Sequence, residues 1–273
     1  MHQNSDSLRF VNRRKSDCWI QFGSDSLNPK QPVLGVDIGG SSIKFCLLDT
    51  NRIVAHSTKE YVNGKTPDAI QNIISEVIGD WKHIGDIGIG FPGLVEEGTI
   101  VDAPNLDSEW EGYDFSAQFA GKTGGKVLIS NDADAAALAM AQETERWEVE
   151  NILCLTLGTG IGSAWLKQGN LDAGTEFGRM VHPELGCSLE EWASVRTMNE
   201  ENLSIDTWSE RLVTVLDYLL EQCNPDRFIL SGGITTNSES WIEAIQARTA
   251  VPVVISKYGD LTGAVGAAKL LSV

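Results

Sequence analysis

Val33–Asp49, VLGVDIGGSSIKFCLLD, leaves little room for anything but a hairpin. An apolar run from Val33 to Asp37 meets two glycines, Gly39 and Gly40, and a second apolar run follows from Ile43 to Leu48. Asp37 ends the first strand; Ser41, Ser42 and Lys44 follow the glycines. Glycine admits positive φ and lets backbone approach a ligand closely. Successive N–H groups in such a turn form a concavity that attracts anions. An acid beside that concavity suits a metal-bound phosphate, although an ordinary hairpin shows the same pattern.

The design recurs. Ile152–Leu166, ILCLTLGTGIGSAWL, again reads strand, glycine turn (Gly158, Thr159, Gly160, Gly162), strand. A third turn, Ser231–Gly232–Gly233, follows the apolar run Phe228–Leu230. Three strands feeding glycine turns suggest two related halves facing one phosphate ligand. The dinucleotide fingerprint does not fit, because a strand rather than a helix follows Gly160. Gly64-Lys65-Thr66 and Gly121-Lys122-Thr123 mimic the tail of a Walker A loop, but Lys59 and Ser116 stand where its first glycine belongs.

At 273 residues the chain is long enough for two α/β lobes. A net charge of −17 argues against nucleic acid and against an anionic membrane surface, since both need basic faces. The five cysteines are odd in number, scattered and without a C-x-x-C pair, which fits a reducing cytoplasm. No run approaches the ~18 apolar residues of a membrane span, and the N-terminus lacks a signal-peptide core.

Along the chain, residues 1–32 read as an extension packed through Trp19–Phe22. Arg52–Lys59 reads as a strand. Thr66–Trp81 reads as a helix, with Ala69, Ile70, Ile73, Ile74, Val77 and Ile78 at helical spacing behind a Thr-Pro-Asp start. Strands are expected at Ile84–Phe91, Gly98–Asp102, Lys126–Ser130, Asp226–Leu230 and Val251–Ile255. Helices are expected at Phe115–Ala120, Asn131–Arg146, Leu189–Asn199, Ser204–Cys223, Ser238–Arg248 and Leu261–Leu271. Gly169–Glu190 reads as a long functional loop. Alternating strands and helices mean α/β layers, and the hairpins make the sheets mixed.

Asn131-Asp132 stands where a strand feeds a helix, the place where open α/β sheets bind ligands. Either residue can be a helix N-cap; in a phosphate cleft Asp132 could instead take a proton from an attacking hydroxyl. Asn105, Glu176 and Glu190 suit a polyhydroxylated ligand or plain solvated surface. His182 and Cys187 are two candidate ligands where zinc takes three or four, so zinc is not expected.

Asp37–Lys44 (DIGGSSIK), Asn131–Ala136 (NDADAA), Leu157–Ser163 (LGTGIGS) and Ser231–Ile234 (SGGI) resemble the ROK sugar kinases. Asn105-Leu106-Asp107 with Trp110, Thr175–Gly178 and Leu203–Arg211 are similar to the polyphosphate-dependent glucokinase branch. The resemblance implies a two-lobed actin/hexokinase-like (ribonuclease H-like) α/β fold with a central cleft. Residues 33–134 and 261–273 would form one lobe and 135–260 the other. It implies transfer of phosphate from polyphosphate or ATP to the 6-hydroxyl of glucose or a related hexose, with Asp132 as base. Asn105, Asn131, Asp132, Glu176, Arg179 and Glu190 would bind sugar. Asp37, Gly39, Gly40, Ser41, Ser42, Lys44, Gly158, Thr159, Gly160, Gly232 and Gly233 would bind the donor phosphates. Asp37 would serve Mg2+ through phosphate or water, and a cytoplasmic homodimer is implied. Lys44, Lys167, Arg248 and Lys257 are candidates for a basic donor track.

One residue departs from the pattern. Arg179 stands in the histidine position of the family's Glu-x-Gly-His motif, and a guanidinium cannot accept a hydrogen bond. An altered, even anionic, sugar is therefore expected to be a candidate acceptor. The alternatives are a catalytically impaired sugar-binding regulator of the same fold and an ATP-dependent kinase for a different sugar.

Overall fold

The computed structural model describes residues 9–11, 31–103, 106–119 and 121–271. The apolar alternation builds two sheets. One has the order β4 (Arg52–Glu60), β3 (Ser42–Asp49), β2 (Val33–Ile38), β5 (Gly85–Phe91), β8 (Gly124–Asn131). The other runs β1 (Arg9–Val11), β11 (Asn170–Asp172), β10 (Ile161–Lys167), β9 (Asn151–Leu157), β12 (Arg227–Ser231), β13 (Val253–Ile255). In both, the leading strand pairs antiparallel with its hairpin partner and parallel with the next strand of its half. Each half thus has the same order, third-second-first-fourth-fifth, with β1 added parallel to β11 at one edge. The paired halves expected from the repeated glycine turns are a duplicated topology. A small hairpin, β6 (Leu94–Glu96) and β7 (Thr99–Asp102), flanks the first sheet.

Period-2 alternation decides what each face meets. Leu34, Val36 and Ile38 of β2 join Ile70, Ile74 and Val77 of α1 (Pro67–Asp80) and the aromatic group of Trp110, Phe115 and Phe119. Phe115 and Phe119 lie on α2 (Phe115–Phe119). Thr66 caps α1, its hydroxyl accepting from the Ala69 amide. Leu153, Leu155 and Leu157 of β9 face Trp208, Leu212, Val215, Leu216 and Leu219 of α6 (Ile205–Cys223).

Between the sheets lie α3 (Asp132–Ala141) and α8 (Thr262–Lys269), both rich in alanine. Their small side chains let helix backbone approach sheet backbone. A Cβ on Gly35 or Gly88 would overlap the carbonyl oxygens of Ala264 or Ala267, and one on Gly266 would overlap that of Ala135. α8 lies on β2, β3 and β5, and α3 on β9 and β10.

Three helix readings are corrected. The Asn131–Arg146 helix stops at Ala141, because the Glu143 carboxylate accepts from Ser256 Oγ at 2.7 Å and the Lys257 amide at 2.8 Å, drawing the chain off the axis. Leu189–Asn199 is two helices, α4 (Leu189–Ala193) and α5 (Val195–Glu200). Ser194, with ψ 158°, leaves the helical region and caps the second through the Thr197 amide. Ser238–Arg248 breaks at Trp241 (φ −139°) into a 3-10 stretch, Gly233–Ser240, and α7 (Ile242–Gln246). Trp241 packs edge-on against Trp208, which fixes the break. The contact read for Trp19–Phe22 lies outside the described residues, as does Asn105.

Candidate active site

A cleft of about 540 Å³ opens where β2, β5, β8, β9 and β12 end. Among the described residues it is lined by every one named above for binding the sugar or the donor phosphates, the proposed basic track apart. The two hairpin turns face each other across it: a Cβ on Gly40 would stand 2.6 Å from Thr159 Oγ1. Each turn closes on itself, through the Gly39 amide to the Ser42 carbonyl and the Gly158 amide to the Gly160 carbonyl, both 3.0 Å. Gly232, at φ +108°, rests on the Leu157 carbonyl where no Cβ fits, joining the third turn to the second.

At the β8–α3 junction the two side chains divide: one caps the helix and the other lines the cleft. Asn131 is the cap: its Oδ1 accepts from the Ala133 and Asp134 amides at 2.9 and 3.2 Å. Its Nδ2 donates to the Gly93 carbonyl at 3.1 Å, drawing the β5 loop to the cleft. Asp132 takes the first helical position with Oδ1 on the Ala133 amide at 2.8 Å, and its carboxylate is left for the cleft. Burial, then the charge of Asp37, raises Asp132 to about 8; Glu176 and Asp134 push the same way.

Sequence reasoning passed over Asp134, whose only signal was an acid in the first turn of an alanine helix. It is buried, with Oδ2 on the Gly174 amide at 2.9 Å, and burial raises it to about 7. That bond ties α3 to the loop bearing Glu176. Ser163 and Thr175 exchange hydroxyl-to-carbonyl bonds at 2.9 Å, and the Phe177 amide donates to Ser163 Oγ at 2.9 Å. Glu176 pairs with Arg179 Nε at 3.3 Å. Burial raises the Glu176 carboxyl and Arg179 partly offsets this. Glu190 Oε2 lies against Gly160 and accepts from the Ile161 amide at 3.4 Å.

Asp37 lies against Gly263 in the first turn of α8, a favourable place for a carboxylate. Burial raises it to about 6, Lys44 lowers it, and Asp260 raises it. Asp260, Thr262, Gly263, Arg196 and Asn199 also line the cleft and were missed by sequence reasoning. The signal available for the first three was the Gly-Asp-Leu-Thr-Gly run, Gly259–Gly263, which runs into the start of the small-residue helix read from Leu261.

The basic track needs correction. Of its four members only Lys44 lines the cleft. Lys167 pairs with Asp172 at 2.6 Å, Arg248 reaches Glu210 at 4.0 Å, and Lys257 lies over the Tyr258 ring.

Asp132 makes stability depend on pH. Its folded value of about 8 lies above its ordinary 3.8, so the folded state holds a proton that the unfolded chain releases. Its contribution is complete below about pH 4 and is lost as pH rises through 8. The expected result is a melting-temperature advantage of Asp132→Asn over the wild type that grows from pH 4 to pH 8. Parallel thermal melts of the two ligand-free proteins would measure it, and a constant gap would refute the assignment.

The ROK family model matches residues 33–191. The polyphosphate glucokinase of Mycobacterium tuberculosis (strain ATCC 25177 / H37Ra) is 35% identical over 243 residues, covering 86% of this chain and 89% of that protein. Among solved structures, the inorganic polyphosphate/ATP-glucomannokinase of Arthrobacter sp. strain KM superposes with a TM-score of 0.81 at 28% identity, covering 89% of this chain and 99% of that one. The ROK family glucokinase of Streptomyces griseus, solved with glucose and AMPPNP, shares the fold at TM-score 0.72 and 22% identity, covering 88% of this chain and 98% of that one.

Proposed function

The chain belongs to the ROK family, and from that premise we infer that it is a sugar kinase moving a phosphoryl group from polyphosphate or ATP to the 6-hydroxyl of glucose or a related hexose. The observation that carries this reading is the setting of Asp132. It lies in one cleft with the facing phosphate turns and with Asn131, Glu176, Arg179 and Glu190, and the charges that act on it, Asp37, Glu176 and Asp134, are all negative. A carboxylate so placed gains basicity, and among the described residues no cation pairs with it.

In the reaction the sugar 6-oxygen attacks the terminal phosphorus, its proton passes to Asp132, and the bond to the leaving phosphate oxygen breaks in line. Asn131 fixes the Asp132 backbone. Glu176 and Glu190 offer carboxylates to sugar hydroxyls. The turns at Gly39–Gly40 and Gly158–Gly160 offer amides to the donor.

Asp37 with Asp260 beside it fits Mg2+, which takes one or two carboxylates and completes its shell with phosphate and water. When bound, Mg2+ neutralises donor phosphate charge. A cytoplasmic homodimer belongs to the same reading, carried by family membership. Among the described residues no helix is long and apolar enough to cross a membrane.

Arg179 narrows the acceptor. Its charge is already paired with Glu176, and Asp132 and Glu190 line the same cleft. An added anion would meet more negative than positive charge, so the acceptor is an uncharged hexose. The test is sugar-phosphate formation with Mg2+ from glucose and from glucose 1-phosphate, with polyphosphate and ATP in separate arms. Glucose 6-phosphate should form, with the anionic sugar at least about tenfold poorer. Silence with both donors would sink the kinase; a preference for glucose 1-phosphate would sink the reading of Arg179.

A further inference from the structure

Tyr61 and Lys65 stand behind the first glycine turn. Tyr61 follows β4, and Lys65 belongs to the Gly64-Lys65-Thr66 stretch that a phosphate-loop signature failed to claim. The Tyr61 hydroxyl donates to the Gly39 carbonyl at 2.6 Å, and the Lys65 ammonium donates to the Gly40 carbonyl at 2.6 Å. The ammonium lies 5.4 Å from the Tyr61 ring centre, so both carbonyls are drawn to one side. The indole N–H of buried Trp110 donates to the Lys65 carbonyl at 2.7 Å and steadies this arm.

A trans peptide points its N–H opposite to its C=O. With the Gly39 and Gly40 carbonyls turned toward Tyr61 and Lys65, the amides of Gly40 and Ser41 turn the other way. Among the described residues neither amide has an acceptor. Both residues line the cleft, and Gly40 faces Thr159 of the opposite turn. A peptide free to flip would present a carbonyl to the donor phosphate and repel it. Burial and the charge of Asp37 push the Tyr61 phenol up, so it remains a donor throughout the working range.

We propose that Tyr61 and Lys65 are positioning residues for the phosphoryl donor, locking two consecutive peptides so that the Gly40 and Ser41 amides face its phosphates. The proposal rests on the kinase reading above. It is tested in the full chain with Tyr61→Phe, Lys65→Met and Lys65→Arg, measuring KM for glucose and for each donor separately. Tyr61→Phe and Lys65→Met should each raise donor KM on the order of tenfold, the size of one lost hydrogen bond. They should leave glucose KM within about twofold. Lys65→Arg should restore most of the loss. Unchanged donor KM, or equal losses at both substrates that track a fall in melting temperature, would overturn the proposal. If Lys65→Met does not fold, Tyr61→Phe decides, since it deletes a single oxygen. If the wild type turns over no sugar, the kinase reading fails, and calorimetric binding of inorganic polyphosphate decides separately. A tenfold weaker Tyr61→Phe supports the lock; equal affinity, or no binding to the wild type, refutes it.

Discussion

Asp132→Asn is expected to lower kcat by about a thousandfold, the middle of the range for removing a general base, with glucose affinity kept. The amide preserves shape and can still accept the Ala133 amide, but it takes up no proton at neutral pH. Asp132 is raised by burial, Asp37, Glu176 and Asp134, so the wild-type kcat/KM should climb with pH as the carboxylate ionises, toward about 8 in the free enzyme. Steady-state assays across pH, with glucose binding measured by calorimetry, check both parts. A variant that keeps wild-type turnover would remove Asp132 from the chemistry. One that loses glucose binding in step with kcat would make it a binding residue instead.

Gly88→Ala is expected to destabilise the fold by about 3 kcal/mol or more, the cost of overpacking against a rigid neighbour. The new methyl would overlap the Ala267 carbonyl oxygen of α8, and backbone cannot turn aside as a side chain can. α8 would have to lift off β5, and it also carries Gly263, against which Asp37 rests. Activity should therefore fall with stability. Gly79→Ala is the contrast: near the end of α1, with nothing within 4 Å of an added Cβ, it should stabilise by about 0.5 kcal/mol. Urea unfolding of both variants would show opposite shifts in midpoint at unchanged slope.

The legible parts share a cause. Hairpins, glycine turns and capped helices are local. Val33–Asp49 declares its two strands by apolar runs and its turn by glycines, and Thr66-Pro67-Asp68 declares a helix start by capping chemistry. Family resemblance then placed Asp37, Asp132, Glu176 and Glu190 in one site, and all four line the cleft. The Ser194 break is a local cap overlooked inside a stretch read as one helix, whereas other misread parts are ones where a distant contact overrides local preference. The helix after Asn131 ends early because Glu143 binds Ser256 and Lys257, more than 110 residues away. The supposed basic track dissolved because Lys167 and Arg248 found acids closer at hand.

The sequence by itself determined the element types, the glycine turns and the family, because each is written in short-range periodicity or in short motifs. Only the three-dimensional structure decided that Asn131 is the cap and that the Asp132 carboxylate is left to the cleft, since that depends on where the amides of Ala133 and Asp134 point. It alone joined Gly40 to Thr159, Asp134 to Gly174, and Tyr61 and Lys65 to the turn they brace. Those pairs are 22 to 119 residues apart, and nothing in a local pattern encodes a contact between groups that meet only after the sheets have closed on α3 and α8.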